Sequence, residues 1–377
     1  MRELVAIDME GGPTFVDALR RAWDCGDAVL PIDQRLPGPA REALFAAARP
    51  HAVITDTDRV PQDRGAPLVG EADAIVIASS GTTGPPKLLV HTHAGIEAHA
   101  RSVHSQLAVD PARDRWLACL PLAHMGGLGV VLRSLVTDTP FDVSPSFDPE
   151  RVDAAPAELG TTLVSLVPTA LDRVDPSTFH WVILGGAADP NPRPGNVVHT
   201  YGLTETGGGV VYAGRPLPDV DVRIGSDGDI SIRGPMLATG RRHDDGSLEA
   251  IVDRDGWLTT GDIGHWTPDG RLEVDGRADD LIVTGGENVW PATVEIALAN
   301  HPLVAQVLVV GRPDPEWGQR VVAIVVPADP TDLPTLDGLR DHVRQSLPAF
   351  AAPREVVLVE QLAHTALGKV QRAQRGR

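Results

Sequence analysis

A hydroxyl-rich glycine segment that directly follows an apolar run is the part of this sequence best suited to binding a polyphosphate. It reads Ser-Ser-Gly-Thr-Thr-Gly-Pro-Pro-Lys from Ser79 to Lys87. The glycines let backbone amides converge on an anion, the hydroxyl groups donate hydrogen bonds, and the lysine supplies a positive charge. The residues assigned to this candidate phosphate loop are Ser79, Ser80, Gly81, Thr82, Thr83, Gly84 and Lys87. The spacing of a Walker A loop is absent, and an ordinary surface loop is the alternative.

Four further short motifs with chemically useful residues follow this loop along the chain. They are Tyr201-Gly202-Leu203-Thr204-Glu205, Thr260-Gly261-Asp262, Gly276-Arg277-Ala278-Asp279-Asp280 with Gly285-Gly286-Glu287-Asn288 after it, and Leu367-Gly368-Lys369. Taken singly, each has an ordinary explanation. Thr204 could cap a helix, the second motif could be a turn, and Lys369 could be an exposed residue of the tail.

The five motifs, in this order, resemble those of the adenylate-forming superfamily, which includes acyl-CoA synthetases, luciferases and peptide-synthetase adenylation domains. The resemblance implies that Tyr201 packs on adenine, that Thr204 reaches the α-phosphate and that Glu205 holds magnesium. Gly202 belongs to the same nucleotide-binding segment. Asp262 is expected to accept hydrogen bonds from both ribose hydroxyl groups, a role that suits the two oxygens of a carboxylate.

The remaining motifs resemble the hinge and the catalytic tail of the superfamily. The resemblance implies that Arg277 touches ATP and that Asp279 is the pivot of a hinge. Lys369 matches the mobile catalytic lysine, a cation brought to the reacting carboxylate and the α-phosphate. Gly185 and Gly186 follow another apolar run. They match the segment of the superfamily that flanks adenine and the acyl group.

The chemistry implied by the resemblance is the activation of a carboxylic acid with ATP and Mg²⁺. The acid becomes an acyl adenylate with release of pyrophosphate, and the acyl group then passes to the thiol of CoA. The loop from 285 to 288 is expected to line the thiol channel. The expected partners are therefore the acid, ATP and CoA, with no nucleic acid and no membrane, and the resemblance allows a homodimer.

The segment from Pro121 to Arg133 carries the clues to the acid. His124 matches a catalytic residue at the mouth of the acyl pocket, and Gly127 would leave room for a ring or permit close helix packing. Arg133 lies in an otherwise apolar helical run, where a charge is costly unless it is paired. Either it binds a second carboxylate of the substrate, or it snorkels or pairs with an acid such as Asp138 or Asp142.

These features most resemble the o-succinylbenzoate-CoA ligases of menaquinone biosynthesis, a branch whose substrate is an aromatic diacid. One alternative is another aryl- or short-chain acyl-CoA ligase, or a stand-alone adenylation enzyme that loads a carrier protein. A more remote alternative is a nucleotide-binding protein without catalysis. Three nearby histidines, His91, His93 and His99, could suggest a zinc site, but the superfamily has a Thr-His pair at this helix entry.

Composition bounds these predictions. The chain has 377 residues and a formal net charge of −18, which opposes nonspecific attraction to nucleic acid or to an anionic membrane. Only Cys25 and Cys119 are present, which favours a reducing compartment, and we expect a cytoplasmic protein. The acids near the N-terminus do not fit a signal peptide, and no apolar run reaches membrane-spanning length.

Up to about residue 207, segments with a helical apolar pattern alternate with segments typical of strands. This alternation predicts a mostly parallel sheet that positions the motifs. Short alternating strands then predict a β-rich part over about 208–277. The fold class expected is α/β: a large N-terminal AMP-binding domain at 1–277 and a small mobile α+β catalytic domain at 278–377. Fewer residues precede Ser79 than the superfamily usually has, so its first subdomain is expected to be shortened.

Overall fold

The computed structural model describes residues 2–63, 65–79, 86–186, 189 and 191–362. Its α-helices in these ranges are α1 Pro13–Asp24, α2 Gly38–Ala48, α3 His93–Leu107, α4 Met125–Val136, α5 Pro149–Leu159, α6 Pro168–Leu171, α7 Pro291–Ala299 and α8 Leu336–Val343. No helix of this part of the chain is long and apolar enough to cross a membrane.

The first strands in chain order are β1 Leu4–Ile7, β2 Ala28–Pro31, β3 Ala52–Ile54, β4 Arg59–Pro61, β5 Asp73–Ser79, β6 Lys87–Thr92, β7 Trp116–Ala118, β8 Phe141–Val143, β9 Leu163–Leu166, β10 Trp181–Leu184, β11 Val197–Leu203 and β12 Gly208–Tyr212. The later strands are β13 Arg215–Pro216, β14 Asp221–Ile224, β15 Asp229–Arg233, β16 Gly240–Arg242, β17 Leu248–Glu249, β18 Leu258–Trp266, β19 Leu272–Arg277, β20 Ile282–Thr284, β21 Glu287–Val289, β22 Val304–Asp314, β23 Gly318–Pro327 and β24 Glu355–Leu358.

Two mixed sheets form most of the first part of the chain. One has the strand order β17-β16-β6-β5-β2-β1-β3-β4, and its strands β1, β2, β3 and β5 run parallel. The other has the order β13-β12-β11-β10-β9-β7-β8, and its strands from β7 to β11 run parallel. Helices α1, α2, α4 and α5 connect successive parallel strands of these sheets, as a parallel pairing needs a long crossover connection. Apolar residues on both faces of these strands make the core.

A third sheet has four strands in the order β14-β15-β18-β19 and corresponds to the predicted β-rich part. A fourth sheet has the order β21-β20-β23-β22, and β24 pairs with β23 in parallel. Helices α7 and α8 cover this last sheet, and buried aliphatic residues such as Val294, Leu298 and Leu339 fill the space between them. The predicted α/β fold class, with its β-rich part and its α+β C-terminal part, is confirmed.

The described chain divides into two compact units. The first comprises residues 1–223, 231–259 and 267–272, and the second comprises residues 224–230, 260–266 and the chain from Glu273 onward. The division predicted after residue 277 stays a prediction. Helices of both units, such as α1, α5 and α7, begin with a proline at one of their first two positions, where its missing N–H costs nothing.

Candidate active site

The candidate phosphate loop connects two antiparallel strands of the first unit. Ser79 ends β5 and Lys87 begins β6, and these two residues are paired across the sheet. The five residues at 73–77 of β5 are buried, which anchors the loop at its entry, while Lys87 is exposed. The other predicted loop residues lie outside the described part of the chain: Ser80, Gly81, Thr82, Thr83 and Gly84.

The motif predicted to hold adenine and magnesium begins in a strand and ends in a tight turn. Tyr201 and Gly202 lie in β11, and Thr204 and Glu205 lie in the 3-10 turn Thr204–Thr206 that follows. A Cβ on Gly202 would stand 2.0 Å from the carbonyl oxygen of Gly208, so only glycine allows the two backbones to approach so closely.

Thr206 fixes this turn, although we assigned it no role from the sequence. Its side chain is fully buried and accepts a hydrogen bond from the amide of Leu203 at 2.8 Å. Its hydroxyl donates to the carbonyl oxygen of Gly208 at 2.6 Å. The signal that could have revealed it was its place next to Glu205, since hydroxyl side chains stabilise tight turns through local backbone hydrogen bonds.

Two buried histidines form hydrogen bonds to the backbone of the same turn and of the strand that follows it. His91 Nε2 lies 2.9 Å from the carbonyl oxygen of Thr204, and His99 Nε2 lies 2.9 Å from that of Gly209. Burial lowers the pKa of each imidazole to about 4, so both are neutral at pH 7 and donate hydrogen bonds to the carbonyl groups. His93 instead packs edge-on against Trp23, with ring centres 4.8 Å apart.

The predicted ribose-binding carboxylate lies in the second unit. Asp262 is in β18 with a side chain 7% exposed, and Arg277 at the end of β19 donates to its Oδ1 at 3.1 Å. The same guanidinium nitrogen donates to the carbonyl oxygen of Thr260 at 3.0 Å. The two residues predicted to contact the nucleotide are therefore neighbours. Asp279 follows in the exposed 3-10 turn Ala278–Asp280.

Gly185 and Gly186 follow β10 at the carboxyl end of the parallel strands of the second sheet, where open α/β sheets bind ligands. A Cβ on Gly185 would stand 2.9 Å from Thr200 Oγ1 of the neighbouring strand β11. These glycines therefore lie close to the strand that carries Tyr201.

His124 is the residue before helix α4, and its side chain does not cap that helix. Its Nε2 instead lies 3.0 Å from Asp33 Oδ2. Asp33 also receives three hydrogen bonds from Arg35, from the backbone amide and Nε at 2.9 Å and from NH2 at 2.8 Å. We assigned no role to Asp33 or Arg35 from the sequence, because nothing in a one-dimensional pattern places them beside His124.

Helix α4 begins against the backbone of the preceding segment. A Cβ on Gly127 would stand 2.2 Å from the carbonyl oxygen of Leu120. Of the two roles predicted for Gly127, the structure therefore favours close packing, because backbone atoms fill the space that a ring would need.

A small cavity of about 10 Å³, room for about one water molecule, lies between α3, α4 and the turn that follows Glu205. It is lined by small, apolar and imidazole groups: His91, Gly95, Ile96, His99, Met125, Gly129, Leu132, Gly207 and Met236. Because both histidines are neutral, the lining itself carries no charge.

Arg133 lies one residue beyond Leu132 of this lining and is only 5% exposed. Its Nε donates to the carbonyl oxygen of Gly129 at 2.9 Å, and its guanidinium carbon lies 4.6 Å from the centre of the Trp116 ring. Its NH1 is buried without a hydrogen-bond partner among the described residues. Asp142 pairs with Arg115 instead, at 3.0 Å. Arg133 thus neither reaches solvent nor pairs with that acid, and burial lowers its pKa.

Comparison with known proteins assigns the family. Residues 66–240 match the AMP-binding enzyme family and residues 293–369 match the AMP-binding enzyme C-terminal domain. A probable 2-succinylbenzoate–CoA ligase of Mycobacterium tuberculosis is 37% identical over 369 residues, covering 92% of this chain and 93% of that protein. The chain belongs to the AMP-binding enzymes.

Other relatives agree with this assignment. A 2-succinylbenzoate–CoA ligase of Bacillus cytotoxicus is 32% identical over 334 residues, covering 79% of this AMP-binding enzyme and 68% of the relative. The o-succinylbenzoate CoA synthetase of Bacillus subtilis, solved with its acyl-adenylate intermediate, superposes with a TM-score of 0.86 at 25% identity. That match covers 99% of this chain and 87% of the other. This AMP-binding enzyme is an AMP-forming acid–thiol ligase.

In this AMP-binding enzyme the predicted residues form separate groups within the described chain. Tyr201, Gly202, Thr204 and Glu205 lie together on one strand and turn, and Asp262 and Arg277 form a pair. Lys369 lies outside the described residues.

Proposed function

We propose that this AMP-binding enzyme is an o-succinylbenzoate–CoA ligase of menaquinone biosynthesis. It would convert o-succinylbenzoate, ATP and CoA to o-succinylbenzoyl-CoA, AMP and pyrophosphate. The observation that carries the choice of acid is the buried Arg133, whose NH1 lacks a hydrogen-bond partner among the described residues. The names of the relatives from M. tuberculosis and B. cytotoxicus support the same acid.

Arg133 suits a substrate with two carboxylates. A buried guanidinium without a counter-ion is costly, and an anion bound against it would offset that cost. The ring carboxylate of o-succinylbenzoate would be that anion. Gly129 and Trp116 hold the guanidinium in place by a hydrogen bond and by a cation–π contact. The neutral histidines of the cavity add no charge, and their N–H groups are engaged by the carbonyl oxygens of Thr204 and Gly209.

The succinyl carboxylate would attack the α-phosphorus of ATP, and pyrophosphate would leave. In this step Thr204 and Lys369 would donate hydrogen bonds to the reacting phosphoryl oxygens, while the loop at 79–87 would bind the leaving phosphates. The CoA thiol would then attack the acyl carbonyl carbon, and AMP would leave. Asp262 would orient the ribose, with Arg277 beside it.

Glu205 fits the magnesium that this chemistry uses. Mg²⁺ commonly takes one or two carboxylates and completes its shell with phosphate oxygens and waters, so a single glutamate beside a phosphate site is enough. Glu205 lies in a turn whose backbone is held on both sides, since its own carbonyl oxygen accepts from the amide of Ala238 at 2.8 Å. When bound, the metal would neutralise charge on the phosphates.

The test is pyrophosphate release with ATP, Mg²⁺ and CoA across a panel of acids. The panel contains o-succinylbenzoate, 4-oxo-4-phenylbutanoate, benzoate, a short fatty acid and a long one. The second acid matches the first except for the missing ring carboxylate, so it isolates the contribution of that group. We expect a strong preference for o-succinylbenzoate with formation of its CoA thioester. A preference for a monoacid would overturn the choice of acid while leaving the ligase chemistry in place.

Two further assignments belong to the same proposal. We place the enzyme in the cytoplasm, where ATP and CoA are available and the thiol of CoA stays reduced. We also retain the homodimer as a prediction, which sedimentation of the purified protein at several concentrations would test.

A further inference from the structure

One buried carboxylate, that of Asp33, connects the segment after β2 to His124 at the start of helix α4. The side chain of Asp33 is 5% exposed, and both of its oxygens are engaged: Oδ1 and Oδ2 by Arg35 and Oδ2 by His124. Residues 33 and 124 are 91 positions apart in sequence. The contact therefore belongs to the tertiary structure and joins the carboxyl-end edge of the first sheet, at its central strand β2, to the helix that carries Arg133.

Asp33 stays ionised in this environment. Burial by itself raises the pKa of a carboxyl group, but the hydrogen bonds from Arg35 and His124 outweigh it and hold the pKa of Asp33 well below its usual range. An ionised carboxylate can only accept hydrogen bonds, so the contact of Asp33 with His124 requires a proton on Nε2 of the ring.

Besides Asp33, the ring nitrogen Nε2 has one other polar neighbour among the described residues, Arg35 NH2 at 3.3 Å, and helix α4 itself gives the ring no side-chain hydrogen bond. The backbone carbonyl of His124 accepts the first helical hydrogen bonds, from Gly127 at 3.1 Å and Leu128 at 2.9 Å, but its side chain makes no capping bond. The ring is one-third exposed, so packing constrains it only partly. Its next neighbour, Met125, lines the cavity.

We propose that Asp33 is a positioning residue for His124: it fixes the tautomer and the orientation of the imidazole at the entrance to the acyl site. Arg35 assists by holding Asp33 ionised and in place. The proposal rests on the proposed function, in which His124 lies at the mouth of that site. The side chain of Asp33 is buried and its partners are Arg35 and His124, so we expect its effect on turnover to pass through His124.

The kinetic test is a double-mutant cycle on pyrophosphate release with the full chain. We expect Asp33→Ala to lower kcat/KM for the carboxylic acid by about tenfold and to leave KM for ATP unchanged. In a His124→Ala background the same substitution should have little further effect. Asp33→Asn, which keeps a hydrogen-bond acceptor, should recover part of the activity. An equal loss in both backgrounds would overturn the proposal, because Asp33 would then act independently of His124.

The matched control is Asp8→Ala. Asp8 follows the neighbouring strand β1, its side chain is 7% exposed, and it pairs with Arg41, but it does not contact His124. Its loss should lower thermal stability without a selective change in KM for the acid. If Asp8→Ala reproduced the kinetic pattern of Asp33→Ala, the effect would be general weakening of this sheet edge and the proposal would fail.

A spectroscopic test separates this proposal from the proposed function. In protein with ¹⁵N-labelled histidine, we expect the His124 ring to be the Nε2–H tautomer at pH 8, and we expect Asp33→Ala, but not Asp8→Ala, to change its signals. An unchanged spectrum in Asp33→Ala would overturn the positioning role. If the wild-type enzyme released no pyrophosphate with any acid, the proposed function would fail while this signature still tested the link between the two residues.

Discussion

His91 Nε2 lies 2.9 Å from the backbone carbonyl oxygen of Thr204, so a buried imidazole on β6 directly supports the turn that carries Thr204 and Glu205. His99, on the following helix, supports the carbonyl oxygen of Gly209 in the same way. Both rings must be neutral to fit, because each is buried beside apolar residues of the cavity. The turn that carries Glu205 is thus supported by uncharged hydrogen-bond donors.

This arrangement predicts that acid destabilises the folded protein. The pKa of His91 and of His99 falls to about 4 on folding, from 6.5 in the unfolded chain. Between pH 6.5 and pH 4 the two histidines bind protons in the unfolded state but not in the folded state. The free energy of unfolding therefore decreases as the pH falls through this range. The loss between pH 7 and pH 5 should be about 2 kcal/mol for each histidine.

Urea unfolding at pH 7 and pH 5 measures this effect. The control is the double variant His91→Gln and His99→Gln, whose amide groups can still donate to the carbonyl oxygens but do not titrate. Its stability should change less with pH than that of the wild type. An identical pH dependence in the two proteins would mean that these histidines do not contribute to it.

The close contact of Gly202 with Gly208 predicts a specific cost for a single methyl group. Gly202→Ala places a Cβ 2.0 Å from a carbonyl oxygen, so the strands β11 and β12 must separate. We expect a loss of about 1 to 3 kcal/mol in the free energy of unfolding, together with weaker ATP binding. Gly195→Ala is the control, because nothing lies within 4 Å of its added Cβ. Equal stability of the two variants would contradict the prediction.

Arg133 should matter for one part of the substrate only. Arg133→Met should lower kcat/KM for o-succinylbenzoate by a factor equivalent to about 2 to 5 kcal/mol, while the value for 4-oxo-4-phenylbutanoate changes much less. The fold should tolerate the change, since Met removes a buried nitrogen without a partner among the described residues. Arg115→Met serves as the control, because Arg115 precedes Trp116 and pairs with Asp142 of β8. Equal losses of kcat/KM for both acids would show that Arg133 does not bind the second carboxylate.

The sequence predicted what short-range patterns encode. The strand before Ser79, the helix that carries Arg133 and the β-rich part after residue 207 all follow from apolar periodicity and turn residues. Strand β1 was missed, because Leu4–Ile7 is only four residues long and is bounded by acids, although it is fully buried between β2 and β3. Short buried strands carry too few residues for a periodic signal.

The supporting residues of the site were missed for a different reason. Asp33 contacts His124 and His91 contacts Thr204 across 91 and 113 positions, so only the packed fold brings them together. Their residue types also have common structural roles, and a sequence offers no means of distinguishing a supporting histidine from a solvent-exposed one. The motif residues could be predicted because their spacing is local, whereas their support depends on tertiary contacts.

Lys369 gives the sharpest test of the catalytic assignment. It lies outside the described residues, so the prediction rests on the Leu367-Gly368-Lys369 motif and on membership of the family. Removal of a cation that stabilises charge only in the transition state should lower kcat and leave binding largely intact. We therefore expect Lys369→Ala to lower pyrophosphate release at least about a hundredfold, while calorimetry shows ATP binding close to that of the wild type.

Arg375→Ala, in the same tail, is the control and should remain active. Because the thiol attack needs no phosphoryl transfer, Lys369→Ala should still form thioester from preformed acyl adenylate and CoA. Pyrophosphate release at the wild-type rate would remove Lys369 from its assigned role.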